Sequence, residues 1–150
     1  MTLSATATDQ EDGRLTGTSV SWTVLRRHAN HFHPFLDSKT GLSVPIKFPE
    51  PEDLFSAAES ALVAHVTATD SNGHETTVSQ VLRARKVELT FATQPQGGSV
   101  VVEGMRLKTP VAVISWAGHT FPVRVPDQRI DGRLYTIKSW SDGKGVCTTS

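Results

Sequence analysis

The chain contains one cysteine, Cys147, in 150 residues. No intrachain disulfide can therefore hold the fold together, and stability must come from packing and hydrogen bonds. Neither sign of charge is in excess, since 15 Lys and Arg balance 15 Asp and Glu. No basic run is interleaved with aromatics, which excludes the electrostatic footprint of a nucleic-acid binder or of a protein held on an anionic membrane. No apolar run approaches the roughly 20 residues that span a bilayer. Long helical patterns are missing, because eight prolines interrupt the chain. Familiar catalytic signatures are absent as well: no G-x-S-x-G, no G-x-x-x-x-G-K-[ST], no G-x-G-x-x-G and no H-E-x-x-H, His74-Glu75 being followed by no second histidine. This length allows one sandwich or two small β domains and excludes a large enzyme core.

What is present is alternation. Leu3, Ala5 and Ala7 share one face of a strand pattern, as do Val20, Trp22 and Val24, and then Leu62, Ala64, Val66 and Ala68. Each set reads as a half-buried antiparallel strand. Turns fall at Asp12-Gly13, Asn72-Gly73, Asp131-Gly132 and Asp142-Gly143, and only residues 52–61 could hold a short helix. Beyond Arg83-Ala-Arg85-Lys86 a new set of strands is expected over 87–92, 99–102, 110–116 and 133–140. The two stretches do not repeat one another. The expectation is an all-β chain with an Ig-like β-sandwich at 1–86 and a second small antiparallel β domain at 87–150. The opening Met1-Thr-Leu-Ser-Ala-Thr lies in a strand pattern and lacks the positive start and apolar centre of a signal peptide. The chain is therefore expected to be a piece of a longer protein.

Several residue groups together resemble a known family. They are Ala7-Thr-Asp9-x-Glu11-Asp12-Gly13, Trp22-Thr-Val24, the histidines ahead of Pro34, and Thr67-Ala-Thr-Asp70-Ser-Asn-Gly73. They look like a PKD-type Ig-like domain, in particular the module that follows the β-propeller of secreted glucose/sorbosone-type sugar dehydrogenases. The later Leu89-Thr-Phe-x-Thr-x-Pro95, Thr109-Pro110 and Tyr135-x-x-x-Ser-Trp140-Ser-Asp-Gly143 resemble the small β domain that often follows it. The resemblance implies an accessory, carbohydrate-associated module of a secreted or periplasmic oxidoreductase. The parent enzyme domain, with its sugar and cofactor sites, is not in this chain. A complete domain of this kind would begin with a strand before Thr2. Its absence would leave a sheet edge open for pairing with a second copy.

The strongest chemical signal is His28-x-x-His31-x-His33, three of the chain's six histidines within six positions. In a strand, His31 and His33 project from one face with about 7 Å between them along the backbone, close enough to share an ion. His28 is out of phase with them and can join only if Ala29-Asn30 turns or bulges. Three neutral imidazoles suit a divalent transition metal, zinc foremost, with copper, nickel or iron as alternatives, whereas calcium would not choose them. His65 is a further candidate ligand. The bland alternative is a set of surface histidines, with Phe32 and Phe35 packing inward behind them; His74 and His119 are expected to be solvated in turns.

With an open fourth position, such an ion would lower the pKa of its bound water and could support a metal-dependent hydrolase of activated phosphoesters or esters. Glu11, Asp12 or Glu75 would orient the water, and Arg26 or Arg27 would neutralise a phosphoryl oxygen. A second constellation, Asp9, Glu11, Asp12 and Asp70, suits calcium or ordinary turn chemistry equally. A third, Trp116, Phe121, Tyr135 and Trp140, suits either sugar stacking or a core. The partners expected are a small molecule or carbohydrate.

Overall fold

A computed structural model describes residues 1–143; Cys147 lies outside the described residues. The fold is all-β. Strands make up about half of the chain, and no sheet closes into a barrel. The only helical segments among the described residues are two three-residue 3-10 turns, Gly17–Ser19 and Ser56–Ala58. The chain divides into two compact units, one formed by residues 1–51 and 59–85, the other by 52–58 and the chain from Lys86 onward.

The first unit contains β1 (Thr2–Ser4), β2 (Thr8–Asp9), β3 (Gly13–Arg14), β4 (Val20–His28), β5 (His31–Thr40), β6 (Ser43–Pro45), β7 (Ala61–Thr69) and β8 (Glu75–Leu82). Four of these form an antiparallel sheet in the order β5-β4-β7-β8, β1 pairs with β6, and β2 with β3. Period-two alternation dictates the layering. Trp22 and Val24 of β4, with Leu62 and Ala64 of β7, meet Leu3 of β1, Val44 of β6 and Ile46 in one buried core. Trp22 is a core residue, and its indole Nε1 donates to the Gly41 carbonyl at 2.8 Å. The outer edge of β1 has no strand partner among the described residues.

Strand β5 departs from simple alternation. Its register against β4 shifts twice, once between the pairs Trp22–Lys39 and Val24–Leu36 and again before Leu25–Pro34. Each shift inserts one extra β5 residue, and Ser38 at the first has a φ of 37°. The second bulge turns Phe35 and Leu36 together toward the core. Phe32 precedes it and stays on the outer face, 52% exposed, so only Phe35 of the expected inward pair packs against the core.

The second unit contains β9 (Lys86–Phe91), β10 (Ser99–Val102), β11 (Met105–Lys108), β12 (Val111–Trp116), β13 (Val123–Arg124), β14 (Gln128–Ile130) and β15 (Arg133–Tyr135). They pair as β11-β10-β13, β9-β12 and β14-β15, all antiparallel. Leu54, Val100, Val102 and Val113 form the core. Residues 52–58 belong here rather than with the preceding strands because Leu54 is buried in this core. The helix expected over 52–61 is reduced to one turn, in which Asp53 Oδ1 accepts from the N–H groups of Phe55 (2.8 Å) and Ser56 (2.9 Å). The strand expected over 133–140 ends at Tyr135.

Candidate metal centre

Strands β4 and β5 form a hairpin whose closing pair is His28–His31. The chain reverses through Ala29 and Asn30, with Ala29 in the left-handed region at φ 47°. Directly opposed residues of an antiparallel pair share a face, and so do residues two apart on one strand. His28 opposes His31, and Arg26 opposes His33, so all three imidazoles and Arg26 stand on one face of the sheet. That face is the one from which Trp22 and Val24 enter the core. At the hairpin end the face is no longer covered, and His31 and His33 are exposed while His28 is half-buried. The apparent phase conflict of His28 disappears because the chain folds back at Ala29-Asn30.

The three rings touch. His28 Nε2 lies 3.1 Å from His33 Nε2, and their rings are nearly parallel with centroids 5.1 Å apart. The His31 ring stands edge-on to both, at 4.2 Å from His28 and 4.9 Å from His33. One ligand nitrogen from each ring lies within 4.8 Å of the others. Tetrahedral zinc with bonds of 2.0–2.1 Å separates its nitrogens by about 3.3 Å. The His28–His33 spacing is already close to that value, and the wider separations can close by rotation of exposed rings. Three imidazoles without a carboxylate match a transition metal and not calcium. Among the described residues this is the one group of three or more His, Cys, Asp or Glu side chains that could hold an ion.

His65 does not join it. It alternates with Ala64 and Val66 onto the outer face of β7, where its Nδ1 and Ser79 Oγ are 2.7 Å apart. The carboxylates considered for general-base work lie at the other end of the sheet. Strand β4 runs eight steps from Val20 to His28, about 26 Å at roughly 3.3 Å per residue. Val20 pairs with Ala68, beside the Thr69–Glu75 pair, so Glu75 lies at the Val20 end. Asp12 is tied to the same end, accepting from Ser71 N at 2.7 Å and from Ser71 Oγ at 2.8 Å. Glu11 shares the Asp12 turn, in which Asp9 Oδ1 accepts from both backbone N–H groups at 2.9 Å. None of the three can orient a water on the histidines. Arg27 points to the outer face opposite Phe32, whereas Arg26 is on the histidine face and donates to the Glu50 carbonyl at 2.7 Å. Of the two arginines that the sequence offered, strand register selects Arg26.

Among the described residues, Asp9, Glu11, Asp12 and Asp70 are not brought together as a group of three or more that could hold an ion. Asp9 and Asp70 serve their own turns: Asp70 Oδ1 accepts from Asn72 N (2.9 Å) and His74 N (2.7 Å), and its Oδ2 meets His74 Nδ1 at 2.8 Å. The N–H donors of Asp12 and Glu11 lower the Asp9 pKa. The His74 hydrogen bond lowers that of Asp70, and the same bond raises that of His74. His74 is thus exposed but not simply solvated. Its raised pKa gives stability that is full below the ordinary imidazole value and fades as pH rises through the folded value. The lowered Asp70 pKa gives stability that is full above the ordinary carboxylate value and fades as pH falls through the folded one. The pair therefore contributes most between roughly pH 4 and 6.5. In an NMR pH titration, Asp70→Asn is expected to return the His74 midpoint toward the ordinary imidazole value; an unchanged midpoint would show that the contact does not form in solution.

Trp116 is not a sugar platform. It is buried, with Nε1 donating to the Ala57 carbonyl at 2.9 Å. Phe121 packs on the same unit's core and against the ring of His119. The His119 side chain is only 7% exposed rather than solvated, and its Nδ1 lies 3.0 Å from Ser115 Oγ. Tyr135 and Trp140 do come together, half-exposed, in a cleft that Gln94 and Thr90 also line. No protein-family model, curated protein or solved structure matches the chain.

Proposed function

We propose that the protein is a metal-binding module that takes one transition ion, zinc foremost, on His28, His31 and His33. The observation that carries this reading is the contact of three imidazoles on one face of an exposed hairpin end, two of them already near the nitrogen spacing of a tetrahedral ion. The role is noncatalytic. A hydrolytic site would need a base beside the metal-bound water, and Glu11, Asp12 and Glu75 sit a sheet length away. The resemblance to modules of secreted sugar dehydrogenases supports an accessory part within a larger, carbohydrate-associated enzyme. In that reading the carbohydrate contact falls to Tyr135 and Trp140, which share a cleft in the second unit.

Equilibrium dialysis against zinc, with metal counted by mass spectrometry, is expected to give one ion per chain, and each of His28→Ala, His31→Ala and His33→Ala should lose it. His65→Ala should keep it. The loaded protein should turn over neither an activated phosphoester nor an activated carboxylic ester. Binding unaffected by the three substitutions would overturn the site, and turnover abolished by both chelator and His31→Ala would overturn the noncatalytic role.

A further inference from the structure

The four-stranded sheet has two edges, and they are built differently. At one edge, β5 carries two bulges, Pro34, Asp37 and Lys39, the devices that keep an edge strand from pairing with another chain. At the other, β8 has none of them. It stays in unbroken register with β7 through eight pairs, from Thr69–Glu75 to Leu62–Leu82. Its sequence, Glu-Thr-Thr-Val-Ser-Gln-Val-Leu, contains no proline and no basic residue, and its one charge is at the first position. Six of its eight residues are exposed. Val78 opposes Val66 on the core-facing side and is nevertheless 61% exposed. A regular row of backbone donors and acceptors beside an uncovered valine is what an added β-strand satisfies.

We infer that β8 is a pairing edge for a second copy of this chain, joined antiparallel about a two-fold axis at Val78. The strand's own sequence selects this occupant. A two-fold axis normal to the sheet keeps like faces together, so paired positions must share parity. Centred on Val78, the pairing sets the exposed valine against its copy, Thr77 against the copy's Ser79 and Thr76 against the copy's Gln80. Each Glu75 then faces the copy's Val81, and the copy's exposed Arg83, one residue past the end of the strand, can reach it with its long side chain. Opposite charges thus meet at both ends of the ribbon and no like charges oppose. A single strand pair is small beside standard interfaces, so the dimer is weak and depends on concentration.

The test is sedimentation velocity over a wide concentration range, in chelator so that the histidines cannot bridge copies through a metal. This makes the outcome independent of the metal reading. The wild-type chain should pass reversibly from monomer to dimer. Val78→Lys, which places two cations on the axis, should raise the dissociation constant about tenfold or more. Glu75→Arg and Arg83→Glu should each weaken the dimer, and the double charge reversal should restore it. Because all three positions are exposed, the variants should fold, which circular dichroism checks. A chain monomeric at every concentration, a dimer indifferent to Val78→Lys, open-ended assembly, or no rescue by the double reversal would each overturn the inference.

Discussion

Zinc at about a hundredfold excess over its dissociation constant should stabilise the first unit by ~1–2 kcal/mol, and His31→Ala should abolish the gain. An ion that binds only the folded state would give about 2.7 kcal/mol at that excess. The smaller figure follows from sequence. Three ligands within six residues remain close together in the unfolded chain, which keeps part of the affinity and offsets part of the gain. The hairpin adds the register that sets His28 opposite His31 and brings its Nε2 to 3.1 Å from that of His33. Urea unfolding with zinc and with chelator measures the difference. In chelator, His31→Ala should match the wild type, because His31 is exposed and its loss empties no core. The zinc effect should be lost in acid, since a protonated ring cannot ligate. Equal midpoints with and without zinc at neutral pH would contradict the reading.

The largest structural effect should come from Leu62→Ala. Leu62 is fully buried on the core-facing side of β7, packed with Trp22, Val24 and Leu3. Truncating it removes apolar burial and leaves a cavity that the two layers can only partly close, at a cost of about 3 kcal/mol within the usual range of 2–5. Phe32→Ala, on the outer face of β5 and 52% exposed, should change stability by less than about 0.5 kcal/mol. The contrast checks the layering, because Phe32 is much the larger residue. Urea midpoints of the two variants decide it. A small effect at Leu62, or a large one at Phe32, would mean that the faces of the sheet are assigned the wrong way round.

Face assignments within single strands were legible in the sequence. Val20, Trp22 and Val24 are buried together, and Leu62 and Ala64 meet them across the β4–β7 pair, as alternation implies. Relations between strands were not legible, because turns and register set them and neither leaves a periodic trace. His28 looks out of phase along one strand and falls into line only when the chain reverses at Ala29-Asn30. His65 lies on a strand whose core face is clear from its neighbours, but which face the other histidines occupy depends on the pairing of β4 with β5. The bulge that separates Phe32 from Phe35 is equally silent in sequence. Aromatic residues without an alternating context carried least information, since burial of Trp116 depends on the distant segment that supplies Ala57.

The most direct test of the metal centre is a zinc titration of the chelated protein followed through its histidine ring signals by NMR. The account predicts that the signals of His28, His31 and His33 move together and saturate at one equivalent, while those of His65 on the outer face, His74 beside Asp70 and His119 beside Ser115 stay in place. Movement of His74 or His65 ahead of the three, or no movement of the three at one equivalent, would contradict it.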